Sequence, residues 1–338
     1  MAALQDTVVE PDVFNDNDST WEDDNASSTA SLNSSILNHR KENGRTYHKF
    51  RDGKYHFPND EEENDRLDLQ HHIFDLSFDG KLGLAPPNQP DAKVARVLDL
   101  GTGTGIWAMD FGEEHTGSEV TGVDLSPTQP QLFVLLVPSF EDVATDQPSV
   151  PPNVRFEIDD VEDTWTYSRP FDYIHSRMMN ASISNWEANL NPGGWLELQE
   201  FDLPLSDDGT LTEAHALSQS MRHLGDSAAK LDRAFIALDK LKPALEAAGF
   251  VDVAEVKFKW PSNTWPRDPK FKELGAWNYE NITAGLQGFL MAFLTRGLGW
   301  QADEVNVLAA QTRKDVGDRS IHAYWPMIVV YGRKPEGQ

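Results

Sequence analysis

A short apolar run that ends in an acid and then breaks into alternating glycines leaves a chain few folds to choose from, and Arg96–Trp107, RVLDLGTGTGIW, is such a run. The run reads as a buried strand and the glycines as a turn whose backbone can lie flat against a ligand. IWAMDFGEEH reads as the helix that follows. The alternation then continues, with strands at SEVTGVDL, NVRFEID, FDYIHS and, after the turn Asn191-Pro192-Gly193-Gly194, at GGWLELQEF. Strands joined by helical connections predict a parallel sheet with helices on both faces. A helical region from Thr210 to Gly249 follows, then a strand in FVDVAEVKFKW, helices through FLTRGLGW and ADEVNVLAAQTRKDV, and a last strand in AYWPMIVVYG.

Upstream of the sheet the composition changes twice. Residues 1–43 are rich in Asp, Asn, Ser and Glu, with too few apolar side chains to repay ordering entropy, so a disordered acidic arm is expected. From Gly44 the chain carries more aromatics, and residues 44–90 are expected to form a cap on the domain at 91–335. Asn59 or Asp60 can cap a helix after Pro58, the acids Glu61 to Glu63 suit its positive end, and Leu69, Ile73 and Leu76 fall on one face. His71 and His72 are adjacent on that helix and diverge by about 100°, which argues against a shared metal.

Three ligands compete for the glycine turn. A phosphate-cradling loop ends in Gly-Lys-Ser/Thr, whereas Gly105 is followed by Ile106 and Trp107. A dinucleotide turn wants its third glycine where Ile106 stands, which disfavours NAD. S-adenosyl-L-methionine has no phosphate to place at the helix end; it carries an amino-acid moiety and a ribose. Asp124 closes the second strand about 20 residues beyond the glycines, where a carboxylate can accept both ribose hydroxyls. Asp99 ends the first strand, placed to meet the ammonium of the methionine portion. Asp160 follows the third strand, where it can accept from the adenine amino group while Val161 packs on the ring. Any one of these acids alone reads as a solvated loop residue; their recurrence at successive strand ends points to a ligand.

Charge and composition narrow the partners. A net charge of −26 repels nucleic acid and anionic membrane, and the small basic clusters HRK and GRK do not resemble a nuclear-import run. The apolar run LFVLLV is far short of the ~20 residues that cross a bilayer, and the N-terminus shows no secretory signal. Cysteine is absent, which removes disulfides and thiolate metal sites, and no metal is expected. The expectation is a soluble, intracellular, cytoplasmic protein with a small-molecule substrate.

The ordered set LDLGTGTGIWAMDF, GVDLSP, FEIDDVEDTW, FDYIHSRMM, NPGGWLELQE and RSIHAYWPMIVVYGRKP, with YHKFRDGKYHFPNDEEENDRLDLQHHIF upstream, resembles the LaeA-like (UMTA-type) fungal methyltransferases from about Gly44 to Pro335. The resemblance implies a Rossmann-like class I methyltransferase: a seven-stranded, mostly parallel α/β sheet whose last strand is antiparallel, an N-terminal helical cap, and helical lid regions at 206–249 and 266–318. Position by position, Gly101, Gly103 and Gly105 match the cofactor turn, Asp124 with Leu125 the ribose edge, and Asp160 and Val161 the adenine edge. His175 and Ser176 match the position beside the transferable methyl. The chain departs from the family at residues 131–147, an insertion between LSPTQP and VPPN flanked by TQPQ and DQPS. Such an insertion is what an unspliced intron would leave, and it puts cofactor binding in question.

Methyl transfer from a sulfonium is an in-line displacement, so positioning and exclusion of water do much of the work. An oxygen nucleophile also needs its proton removed by a group of near-neutral pKa. His175 at the end of the fourth strand is the first candidate, with an ordering role beside it; Glu200 after the fifth is the second, with pairing to Arg177 as its alternative. Trp260, Trp265, Trp277, Trp300 and Trp325 are expected mostly in core, with a few lining an aromatic pocket. Two rivals to a small-molecule methyltransferase stay open: a nuclear regulator working through protein partners, and a cofactor-binding scaffold without turnover.

Overall fold

The computed structural model describes residues 40–48, 55–130, 149–180 and 189–337. The strand before the glycines, β1 (Arg96–Leu100), is central because it is apolar on both sides: Val97, Leu98 and Leu100 are at most 1% exposed. β2 (Glu119–Asp124) and β3 (Val154–Ile158) extend the sheet on one side of it. β4 (Phe171–Arg177), β5 (Leu190–Phe201), β6 (Val251–Pro261) and β7 (Tyr324–Arg333) extend it on the other, in the spatial order β4-β5-β7-β6. Only β7 runs antiparallel to its neighbours. This is the seven-stranded sheet the resemblance implies. The strand order reverses between β1 and β4, so their carboxyl ends diverge and leave a crevice.

Each face of the sheet has its own core. On one, Val97, Val120 and Tyr173 pack against Trp107 and Phe111 of α2 (Ile106–Glu114). On the other, Leu98, Ile174, Leu196 and Val330 pack with Leu241 and Leu245 of α4 (Leu241–Ala247). A third, helical core joins α1 (Glu61–Ser77), α3 (Ala216–Lys230), α5 (Pro269–Leu298) and α6 (Ala302–Gly317) through Phe74, Met221, Leu286, Leu290 and Val305. Asp268 caps the 30-residue α5 by accepting from the backbone of Lys270 and Phe271.

Three local expectations change. Residues 40–43 were placed in the disordered arm by composition; Arg40–Glu42 instead pairs with Arg45–Tyr47 in a hairpin. Its turn is Asn43-Gly44, with φ of 50° and 83°, the conformation that favours Asn-Gly in a two-residue turn. Residues 1–39 and the insertion 131–147 lie outside the described residues. Helix α1 is capped by Asp60, which accepts from Glu63 N, as expected; of the expected face Ile73 is buried and Leu76 packs half-buried on the helical core, but Leu69 is only half-buried and the buried face is completed by Glu63, Arg66, Gln70 and Phe74. Buried polar groups survive there because they are paired: Arg66 donates to Glu63 and to Asn281 of α5. The turn Asn191–Gly194 lies within β5 rather than before it, at a register shift opposite Phe171 and Tyr173. Gly193 N donates to Lys334 O and Lys334 N to Gly194 O, which keeps the irregular residues in the ladder.

Candidate active site

The crevice begins at the glycine turn. Gly101 takes a φ of 68° and Gly105, the N-cap residue of α2, a φ of 86°. That positive φ favours glycine at 101, and a Cβ there would also press on the flexible Met179 side chain. Gly101 N and Thr102 N both donate to Val123 O, which ties the turn to the end of β2. Asp99, Gly101, Gly103, Asp124, Leu125, Asp160, Val161 and His175 all line this one crevice. Gly105 shapes the turn from behind, against the Phe156 ring. Ser176 does not line the crevice. It is fully buried, on the strand face opposite His175, because successive side chains on β4 alternate.

The acids sit as their strand ends place them. Asp124 Oδ2 accepts from Gly103 N and Oδ1 from Ser126 N, each at 2.9 Å. Burial raises its pKa against the pull of those two amides. Asp160 is 3% exposed and accepts from Glu162 N. Asp99 is already engaged on both oxygens, by Thr102 Oγ1 at 2.6 Å and His175 Nδ1 at 2.7 Å.

His175 is 1% exposed and its ring stacks on Trp107, with centroids 3.7 Å apart and planes 5° off parallel. In the neutral ring Asp99 fixes the proton on Nδ1, leaving Nε2 as the acceptor. That Nε2 is buried with no partner among the described residues. Asp99 and Trp107 thus clamp the His175 ring in the crevice wall.

The crevice also holds a cation outside the expected site residues. Arg177, two residues beyond His175 and therefore on the same face of β4, lines the crevice half-buried. Its Nε donates to Gln199 Oε1 at 2.8 Å and its Nη1 to His71 Nδ1 at 3.1 Å, while the guanidinium lies 4.0 Å from the centre of the Phe74 ring. Among the described residues no carboxylate pairs with it, and burial pushes its pKa down to about 10. The alternative pairing of Glu200 with Arg177 is not formed; Gln199 takes that place. His71 passes the chain on, its Nε2 donating to Asp110 at 2.9 Å. Burial lowers its pKa and holds it neutral. His72 instead faces outward, edge-on to Trp277.

Beyond Met178 and Met179, which line both spaces, the crevice opens into a chamber of about 500 Å³. Phe57, Met221, Leu224, Phe289, Phe293 and Trp325 form much of its wall. Of the five tryptophans, Trp325 reaches it, and Trp260 and Trp265 are core. Glu200 lines the chamber rather than the crevice, 4% exposed, with Oε1 accepting from Met179 N at 2.8 Å. Burial pushes its carboxyl up to about 8, against the Met179 and Asn180 amides. In the unfolded chain the same carboxyl titrates near about 4.3. Between those values the folded protein keeps a proton that the unfolded chain has released, so stability is lost as pH rises through that window. Glu200→Gln removes this slope. Its melting temperature is expected to exceed that of the unaltered protein most at pH 8 and to approach it at pH 4.5; a pH-independent difference in thermal scans would refute the assignment.

Among the described residues no group of three or more His, Asp or Glu side chains is placed to hold a metal, and no helix is long and apolar enough to cross a membrane.

A family described as "Methyltransferase domain" matches residues 69–255. The methyltransferase pytC of Aspergillus terreus is 37% identical over 92% of this chain and 93% of its own length. The probable methyltransferase tdiE of Emericella nidulans is 35% identical over 81% of this chain and 82% of its own. The secondary metabolism regulator LAE1 of Cochliobolus heterostrophus is 36% identical over 87% and 94% respectively.

Proposed function

The chain belongs to the fungal S-adenosylmethionine-dependent methyltransferases related to pytC, tdiE and LaeA, and from that membership we propose that it methylates a hydroxyl or amine of a small secondary metabolite. The observation that carries the reading is the junction at Met178 and Met179 of a charged crevice with an apolar chamber.

The crevice fits the cofactor on its own chemistry. The glycine turn brings bare backbone to the crevice at positive φ, and Arg177 is a half-buried cation with no carboxylate bonded to it among the described residues. In this reading Arg177 receives the methionine carboxylate and Asp99 stands beside the ammonium. Asp124 takes the ribose hydroxyls, with Leu125, Asp160 and Val161 around the adenine. Bound there, the cofactor supplies an electrophilic methyl on sulfur. The chain's part is to hold the acceptor in line, exclude water and take a proton. Glu200 is the proton acceptor of choice through its ionised fraction, minor at neutral pH and growing toward its value of about 8, and it bonds to the residue that separates the two spaces. His175 keeps Asp99 and the crevice wall in register.

Calorimetry on the purified protein is expected to show S-adenosylhomocysteine binding in the micromolar range; no heat at high micromolar ligand would overturn the proposal. The likeness to LAE1 supports a second reading, a regulator acting through protein partners. Comparing the metabolites of a deletion strain separates them: loss of one methylated product supports the enzyme, silencing of several unrelated pathways the regulator.

A further inference from the structure

Among the described residues, the chamber differs from the crevice in leaving no cation free. Arg66 is bound by Glu63 through three contacts of 2.7 to 3.2 Å and donates its Nη1 to Asn281. Arg233 forms a two-pronged pair with Glu162 at 2.8 and 3.1 Å. His56 accepts from Arg296, and burial together with that cation pushes it down to about 4, so it stays neutral. Among the described residues these are the three basic side chains in the chamber's lining. Of the acids, Glu63 is paired and Asp202 is only half-buried, where it accepts from Leu203 N. Glu200 alone is a buried acid without a cation among the described residues, and its protonated form predominates at neutral pH.

Space and surface agree with that neutrality. Gly225 sits in the interior of α3, where glycine favours the helix less than any residue but proline. A Cβ added to it meets no heavy atom within 4 Å, and the residue lines the chamber. Packing does not require a glycine there; its absent side chain leaves the chamber wall open at that point. At the lining's outer part Leu203, Phe235 and Ile236 are 42%, 45% and 42% exposed, apolar surface that an apolar occupant would cover.

We propose that the chamber selects an uncharged, apolar, ring-bearing acceptor that directs a single O–H or N–H at Glu200, and that it rejects anionic and cationic molecules of the same shape. Taking an anion into this wall leaves a buried charge without a counter-ion, and a cation gains only by forcing Glu200 to ionise in an apolar setting. The inference rests on the methyltransferase reading of the site, since it treats the chamber as the acceptor's.

The test uses the full chain and three isosteres: 2-naphthol, 2-naphthoate and 2-naphthylmethylammonium. Each displaces the fluorescent neutral probe N-phenyl-1-naphthylamine, with and without S-adenosylhomocysteine present, at pH 7. 2-Naphthol is expected to bind at least about tenfold more tightly than either ion, a factor in line with the desolvation of one imperfectly compensated charge. Gly225→Phe, which fills the chamber, is expected to lose at least about tenfold in naphthol and probe affinity, while its melting temperature and homocysteine-cofactor affinity hold, since its new ring lies outside the crevice. Glu200→Gln should keep the preference for the neutral ligand and Glu200→Leu should weaken naphthol. Equal binding of the three isosteres, a preference for either ion, or no naphthol binding at millimolar concentration would each overturn the proposal. Failure of the methyltransferase reading looks different: naphthol selectivity persists while S-adenosylhomocysteine gives no heat.

Discussion

Replacing Arg177 by methionine is expected to weaken S-adenosylhomocysteine about 100-fold and to leave 5′-methylthioadenosine, which lacks the amino-acid end, within about threefold of its original affinity. The size follows from a buried charge-assisted pair, whose truncation costs about 2–5 kcal/mol. Gln199 and His71 give the guanidinium neutral acceptors only, at 2.8 and 3.1 Å, and it remains a cation at pH 7 even with its pKa at about 10. The carboxylates of Asp99, Glu197 and Asp110 favour its charge only from a distance, so the half-buried cation still carries a desolvation penalty that a bonded ligand carboxylate removes. Methionine keeps an unbranched stem against Phe74 while deleting the charge. The ligand-free variant should therefore melt no lower than the unaltered protein. A merely structural role predicts something else: both ligands weakening together, with a falling melting temperature. Calorimetry with the two ligands on the one variant decides between them.

Arg177 also shows how far the residues could be read without coordinates. Asp99, Asp124 and Asp160 were legible because a parallel sheet fixes which end of each strand faces a ligand, and all three reach the same crevice. Alternation along β4 puts Arg177 on the face of His175 and Ser176 on the other, so period two alone was enough to favour the arginine over the serine. The partner of Arg177 was not legible. Whether Gln199 or Glu200 stands opposite depends on the register of β5, and the irregular Asn191–Gly194 segment shifts that register by an amount composition does not reveal. A single step of register exchanges a neutral acceptor for an acid and moves Glu200 from the crevice to the chamber. The chamber itself joins residues from the cap, the segment after β4, β5, α3, α5 and β7, contacts made only when distant segments pack. The hairpin at Asn43-Gly44 did carry a local signal, overridden by the polar composition around it.

Asp124→Ala should separate from Arg177→Met by the same pair of ligands. Both S-adenosylhomocysteine and 5′-methylthioadenosine carry the ribose, so both are expected to weaken together. The loss should be about 10- to 150-fold, or about 1.5–3 kcal/mol, the value of hydrogen bonds to a charged acceptor. Part of that loss comes through the turn, because Asp124 also accepts from Gly103 N and Ser126 N at 2.9 Å and holds the glycines against the end of β2. Asp124→Asn divides the two contributions. An amide keeps the shape but offers a single acceptor oxygen, so it can answer only one of the two backbone N–H groups and turns its NH₂ toward the other. Asparagine should therefore recover little of the affinity. Acid adds an independent check. Burial raises the Asp124 pKa, so the carboxylate is protonated sooner than an ordinary aspartate as pH falls. The unaltered protein should lose ligand affinity on acidification from above the usual carboxylate range, and Asp124→Ala should be flat over the same interval. Unchanged affinity of 5′-methylthioadenosine for Asp124→Ala would remove the aspartate from the ribose and return it to a purely structural place in the turn.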